Sequence, residues 1–155
     1  MGAYHRVVKR QLAPEILDSL PGDDPRALRS RRDLRLINFL MGNERWILKQ
    51  NHCGGVIELG AGEGKLTQKL AERGQVVGLD FQERPDNLET PWLAGDLFQN
   101  LPEVEGETIV ANLILHHFRD DQLGQLGKLI RERRSLIAVE PWRSRISLAE
   151  GYVLW

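Results

Sequence analysis

Apolar and polar residues follow two rhythms along this chain, and the change between them falls at Gly54-Gly55. Before it, Leu34, Ile37 and Met41 recur at helical spacing, with Leu36 and Leu40 beside them, which predicts an amphipathic helix. Leu20-Pro21-Gly22-Asp23 reads as the turn before it, and Asp24-Pro25 supplies an N-cap and a first-turn proline. Residues 4–20 are weakly periodic and are broken by Pro14. Gly42 stops the long helix, and Asn43 is placed to cap a short one carrying Trp46 and Ile47.

After Gly55 short apolar runs alternate with helical segments. Val56-Ile57-Glu58-Leu59 enters a glycine-rich turn and predicts a buried strand. Residues 65–73 predict a helix with Leu66 and Leu70 on one face and Gly74 as a terminal glycine. Further strands are expected at 76–80, 92–94, 108–113 and 136–139. A helix is expected over 119–134, with Leu123, Leu126 and Ile130 facing inward and Asp120 and Asp121 at its start. The alternation predicts an α/β domain with a mostly parallel sheet of about five strands. The division is an N-terminal helical cap over residues 1–51 and a sheet domain over 52–155.

Composition narrows the class. A chain of 155 residues with 41% hydrophobic and 28% charged residues suits one folded domain. The formal net charge of −1 favours neither nucleic acid nor a membrane surface as a partner. The basic residues are concentrated in the first third, above all in the arginine-rich stretch 26–35, which reads as a solvated helix face. A single cysteine, Cys53, excludes an internal disulfide framework and a multi-cysteine metal knuckle. The first thirty residues contain no apolar signal core, and no apolar run reaches membrane-spanning length. The expected location is the cytoplasm.

The chemistry centres on Glu58-Leu59-Gly60-Ala61-Gly62-Glu63-Gly64, set between a strand and a helix. Glycines there allow a tight turn and the close approach of a ligand. Asp80 ends the next strand, where an acid can accept hydrogen bonds from both hydroxyls of a ribose. The turn is not a P-loop, because Gly64-Lys65 is followed by Leu66 and not by Ser or Thr. No metal-ligand spacing occurs.

From residue 54 to 142 the chain resembles the class I S-adenosylmethionine-dependent methyltransferases. The segment 56–64 is similar to their first motif, and Gly78-Leu79-Asp80-Phe81 to their second-strand acid. Gly95-Asp96-Leu97 resembles the third motif, whose Asp meets the adenine amino group. Residues 109–118, ending Leu115-His116-His117-Phe118, resemble the fourth-strand segment of small-molecule members. Base-modifying members carry Asn/Asp-Pro-Pro-aromatic there, whereas Asn112 precedes Leu113-Ile114. The resemblance implies a Rossmann-like fold and S-adenosylmethionine as cofactor. It implies cofactor contacts from Glu58, Leu59, Gly60, Ala61, Gly62, Asp80, Phe81, Asp96, Leu97, Asn112 and Leu113. The partner implied is a small-molecule methyl acceptor, not nucleic acid.

His116 and His117 are the candidate acid/base residues, able to take a proton from a phenol, enol or hydroxyl. Glu140, at the end of the fifth strand, is a further candidate for the acceptor pocket, read more simply as a loop acid before Pro141. Cys53, Trp46, Trp92 and Trp142 read as packing residues. The family adds two strands after the fifth, and residues 141–155 hold no strand–turn–strand pair. The expectation is therefore an incomplete domain, or one completed by a partner, that self-associates through the edge of the fifth strand. Two rival readings stand beside the methyltransferase: a protein that binds the cofactor without turnover, and an NAD-dependent oxidoreductase.

Overall fold

The computed structural model describes residues 42–140. Its strands are β1 (Val56–Leu59), β2 (Val76–Asp80), β3 (Trp92–Ala94), β4 (Thr108–Asn112) and β5 (Ser135–Val139). They form one sheet in the order β3-β2-β1-β4-β5. Every pairing is parallel. The helices are α1 (Asn43–Lys49), α2 (Lys65–Ala71), α3 (Leu97–Asn100) and α4 (Asp120–Leu129), with 3-10 turns at Leu101–Glu103 and Leu115–His117. This is a Rossmann-like α/β sheet with flanking helices. From β1 the chain builds outward to β3, then crosses back to lay β4 against the other side of β1. The β1–β4 boundary is the switch point, where such sheets open a crevice at the carboxyl ends of their strands.

The two faces of the sheet bury separate apolar layers. Successive side chains of a strand point to opposite faces. Ile57 and Leu59 therefore join Leu79, Leu101, Ile109, Ala111 and Leu126 on one side. Val56 joins Val76, Val110, Ile137, the α2 residues Leu66 and Leu70, and Ile47 of α1 on the other. All four residues of β1 are buried, as expected of a central strand covered on both faces.

Four local features differ from the sequence reading. The last helix ends at Leu129 instead of running to 134, because the chain must turn into β5: Arg134 and Ser135 donate their backbone N–H to the Glu107 carbonyl. Arg133 uses its guanidinium there to bond the carbonyls of Gly106, Leu101 and Val104. Asn43 lies inside α1 and is buried, and Gly42, at φ 67°, takes the N-cap position. Gly74 is not left-handed, since the helix closes at Glu72. The strand expected over 108–113 stops at Asn112, because Leu113 turns to φ 57°. The expected helices of residues 1–41, the arginine stretch 26–35, Trp142 and the tail 146–155 lie outside the described residues.

Candidate functional site

A parallel sheet gathers the carboxyl ends of its strands on one edge, and the candidate residues other than Glu58 lie at or just beyond such ends. The turn after β1 carries left-handed Gly60, Gly62 and Gly64, at φ 65°, 55° and 72°. They serve different needs. A Cβ on Gly60 would lie 2.7 Å from the Ile114 side chain, and one on Gly64 would lie 2.6 Å from Leu88. At Gly62 a Cβ would meet nothing within 4 Å, so this glycine faces open space. The backbone N–H groups of Gly60 and Ala61 both donate to the Leu79 carbonyl, and that of Gly62 to Asp80. The turn is thereby tied to β2 by its own amides.

Asp80 is the tie. Its Oδ2 accepts from Gly62 N–H at 2.7 Å and its Oδ1 from Gln82 N–H at 2.9 Å. A carboxylate has about four lone-pair sites, so acceptor capacity remains beyond these two bonds. Phe81 follows with its side chain 78% exposed, a large apolar surface at the rim of the cleft. Glu58 stands apart from the cleft side: it is 3% exposed and accepts from the Thr67 hydroxyl at 2.6 Å. Burial pushes its carboxyl up to about 8, the Thr67 hydroxyl opposes this, and Glu44 and Asp80 add to it. The side chains of Leu59, Ala61 and Leu97 are likewise buried in the core, which leaves their backbone as the part able to meet a ligand.

Beyond β3, Gly95 leads to Asp96, whose Oδ1 accepts from Phe98 N–H at 2.7 Å and caps α3. A helix of four residues is too short for periodicity to reveal, so the sequence marked Asp96 and Leu97 only through the motif. Beyond β4 lie the most unusual groups. Asn112 Oδ1 is buried without a hydrogen-bond partner among the described residues. Leu113 holds a left-handed conformation that costs an ordinary residue about 1–2 kcal/mol. The reversal aims Ile114 back over Gly60, and Leu113 N–H bonds the Val139 carbonyl at 2.8 Å.

The two histidines divide. His117 is exposed and lies against the His116 ring, with centroids 4.1 Å apart. His116 is half-buried and its Nδ1 lies 2.8 Å from Glu140 Oε2. Glu140 Oε1 accepts from Leu115 N–H at 2.7 Å. Sequence reasoning treated Glu140 mainly as a loop acid. The available signal was an acid ending the strand that this sheet order places beside the histidine-bearing turn.

A cavity of about 420 Å³ opens beside the glycine turn, lined by Gly62, Glu63, Lys65, Gln82 and Leu88 among others. A larger one of about 930 Å³ lies at the opposite strand ends, around Gly55, Val56, Gln75 and Val76, away from these groups.

The sequence matches no family model and no curated protein. Solved structures do match. A SAM-dependent methyltransferase from Archaeoglobus fulgidus is similar with a TM-score of 0.59 at 17% identity, over 77% of this chain and 58% of its own. A 1,6-didemethyltoxoflavin-N1-methyltransferase from Burkholderia thailandensis is similar at 0.42 and 19%, over 72% and 60%. A 16S rRNA methyltransferase is similar at 0.48 and 17%, over 82% and 54%. This chain thus spans less than two thirds of the length of each. What the Archaeoglobus protein and this chain share is the fold: a Rossmann-like sheet of the kind that S-adenosylmethionine-dependent methyltransferases use.

Proposed function

We propose that this chain is an S-adenosylmethionine-dependent methyltransferase domain acting on oxygen or carbon of a small organic molecule. One observation carries the reading: Gly62 N–H and Asp80 bond directly, so the glycine turn and the second-strand acid form one continuous seat at the crevice. The residues present fit the cofactor. Gly62 faces open space, Asp80 keeps acceptor capacity for ribose hydroxyls, and Phe81 offers an exposed apolar rim. Asp96 and the Leu97 backbone would frame the adenine. The orphaned Asn112 Oδ1 calls for a donor, since a buried unpaired acceptor costs about 1–3 kcal/mol. Glu58 would act from beneath, shaping the turn through Thr67.

When bound, S-adenosylmethionine supplies an electrophilic methyl group whose carbon–sulfur bond breaks with its electron pair left on sulfur. The chain's part is alignment and proton removal. The crevice holds the acceptor's oxygen or carbon in line with the methyl. His116, or its stacked neighbour His117, takes the acceptor's proton as the new bond forms. The Leu115-His116-His117-Phe118 sequence supports a small molecule over a nucleic-acid base.

Calorimetric titration with S-adenosylhomocysteine and, separately, NAD tests the reading. Binding of the first alone is expected. Binding of NAD alone would make the domain an oxidoreductase. Binding of S-adenosylhomocysteine without turnover across phenols, quinols and enolic acids would make it a cofactor-binding protein without activity.

A further inference from the structure

Parallel strands are joined by a crossover, usually a helix that covers one face of the sheet. Between β1 and β2 that helix is α2, but residues 81–91 pass from β2 to β3 without one. Trp92 covers part of the α2 face beside β2. It pairs in register with Gly78, and a Cβ on Gly78 would lie 2.6 Å from its ring. Toward the amino ends of the strands the same face opens into the cavity of about 930 Å³, a groove between α2 and the β2–β3 connection. Val56, Val76 and Pro91 give it apolar walls, and its lining carries Glu72, Glu89 and Glu105 with no basic residue. All three glutamates are exposed, and none has an ion-pair partner among the described residues. Nor do they gather as a metal site, since no group of three acids, histidines or cysteines among the described residues could hold a metal ion. Carboxylates spread along an apolar groove suit an elongated cation with apolar stems, and arginine side chains have that form.

The chain carries such a cation. Residues 26–35, which lie outside the described residues, hold five arginines and one aspartate. Arg35 is seven positions before Gly42, the N-cap of α1, and a tether of that length reaches about 23 Å. α1 is held on one flank of α2, where Lys69 pairs with Glu44 and Arg73 bonds the Leu48 carbonyl. Gln68, Ala71 and Glu72 border the groove. Residues three and four apart share a stripe of a helix, so these three form a different stripe from Lys69 and Arg73, and the groove lies on the other flank. A helix is about 10–12 Å across, so the tether is long enough to cross α2. We propose that the arginine-rich segment 26–35 docks in this groove within its own chain. Its guanidinium groups pair with Glu72, Glu89 and Glu105, and it takes the place of the helix that the β2–β3 crossover lacks. A linked segment meets its site at an effective concentration of about millimolar, which favours it over a separate cationic peptide. The docking does not depend on the methyl-transfer reading, because the groove lies at the strand ends opposite the crevice.

Paramagnetic relaxation in the full chain tests this. A nitroxide is attached at Ser30→Cys in a Cys53→Ala background, because Cys53 is the chain's one native thiol. At low salt the amide signals of Gln68, Glu72, Gln75 and Glu89 should lose intensity relative to the reduced label, and those of Gly62, Asp80 and Leu113 should not. Salt at about 1 M, where the screening length is about 3 Å, should restore them; loss that survives it overturns the ionic pairing. Loss confined to the crevice residues overturns the proposal, as does loss at neither end. Broadening of a ¹⁵N-enriched, unlabelled chain by an added spin-labelled chain puts a second copy in the groove and overturns docking within the chain. A charge swap decides even if Cys53→Ala does not fold. Glu72→Lys, Glu89→Lys and Glu105→Lys together, or Arg29→Glu, Arg31→Glu and Arg32→Glu together, should each lower the melting temperature by about 2–4 °C. All six combined should regain it. Losses that merely add overturn the pairing.

Discussion

Three glycines in one turn make different demands, and substitution separates them. Gly62→Val places a branched side chain in the open space beside Asp80. It should abolish S-adenosylhomocysteine binding while costing only about 1–2 kcal/mol for the left-handed backbone, and a folded, fully binding variant would remove the ligand from this turn. Gly60→Ala collides instead with Ile114, so its first effect should be a lower melting temperature. Asp80→Ala should weaken binding by about 1.5–3 kcal/mol. Calorimetry and a melting curve must be read together, because the same carboxylate also holds Gly62 and Gln82. A fall in stability at unchanged affinity would make Asp80 a brace and nothing more. These residues were readable in the sequence, because a glycine turn and a strand-end acid are local signals. The Glu140–His116 bond was not: its partners lie 24 positions apart, and only the order of the strands joins them.

At the scale of elements, the strands and their parallel pairing were well foreshadowed. Short apolar runs bounded by glycine and proline have little other reading, and alternation with helices fixes parallel pairing. Boundaries were less readable where a tertiary bond ends the element. Arg133 leaves the helical path for three carbonyls, and Leu113 turns out of β4. The junction of β1 and α2 should also show in the pH dependence of stability. Glu58 has a folded value of about 8 against an ordinary 4.5. The folded state therefore holds this proton more tightly than the unfolded chain, and stability should fall as pH rises between those values. His52 acts in the opposite sense. Burial and then Arg73 lower its folded value from 6.5, so it removes stability as pH falls below that point. Denaturation of Glu58→Gln alongside the wild type isolates the first effect. The stability gap between them should shift in favour of the variant from pH 5 to pH 8; a constant gap would mean that Glu58 ionises freely.

The whole molecule has an open side among its described residues. β5 ends the sheet, with Leu136 47% exposed, and such an edge invites another strand. Self-association that grows with concentration is expected in sedimentation velocity, and Leu136→Lys should weaken it; a monomer throughout the micromolar range would show that the edge is satisfied within the chain. The parallel sheet also bears on how the molecule comes into being. Among the described strands none pairs with the next through a hairpin, and Val56 must find Thr108 before the centre closes. Contacts so distant in sequence are slow to form. The crevice lies along that same β1–β4 seam, so it exists only once the most remote pairing among the described strands has been made. A ligand seated there should leave the refolding rate nearly untouched and slow unfolding instead, tying the lifetime of the native state to the supply of that ligand.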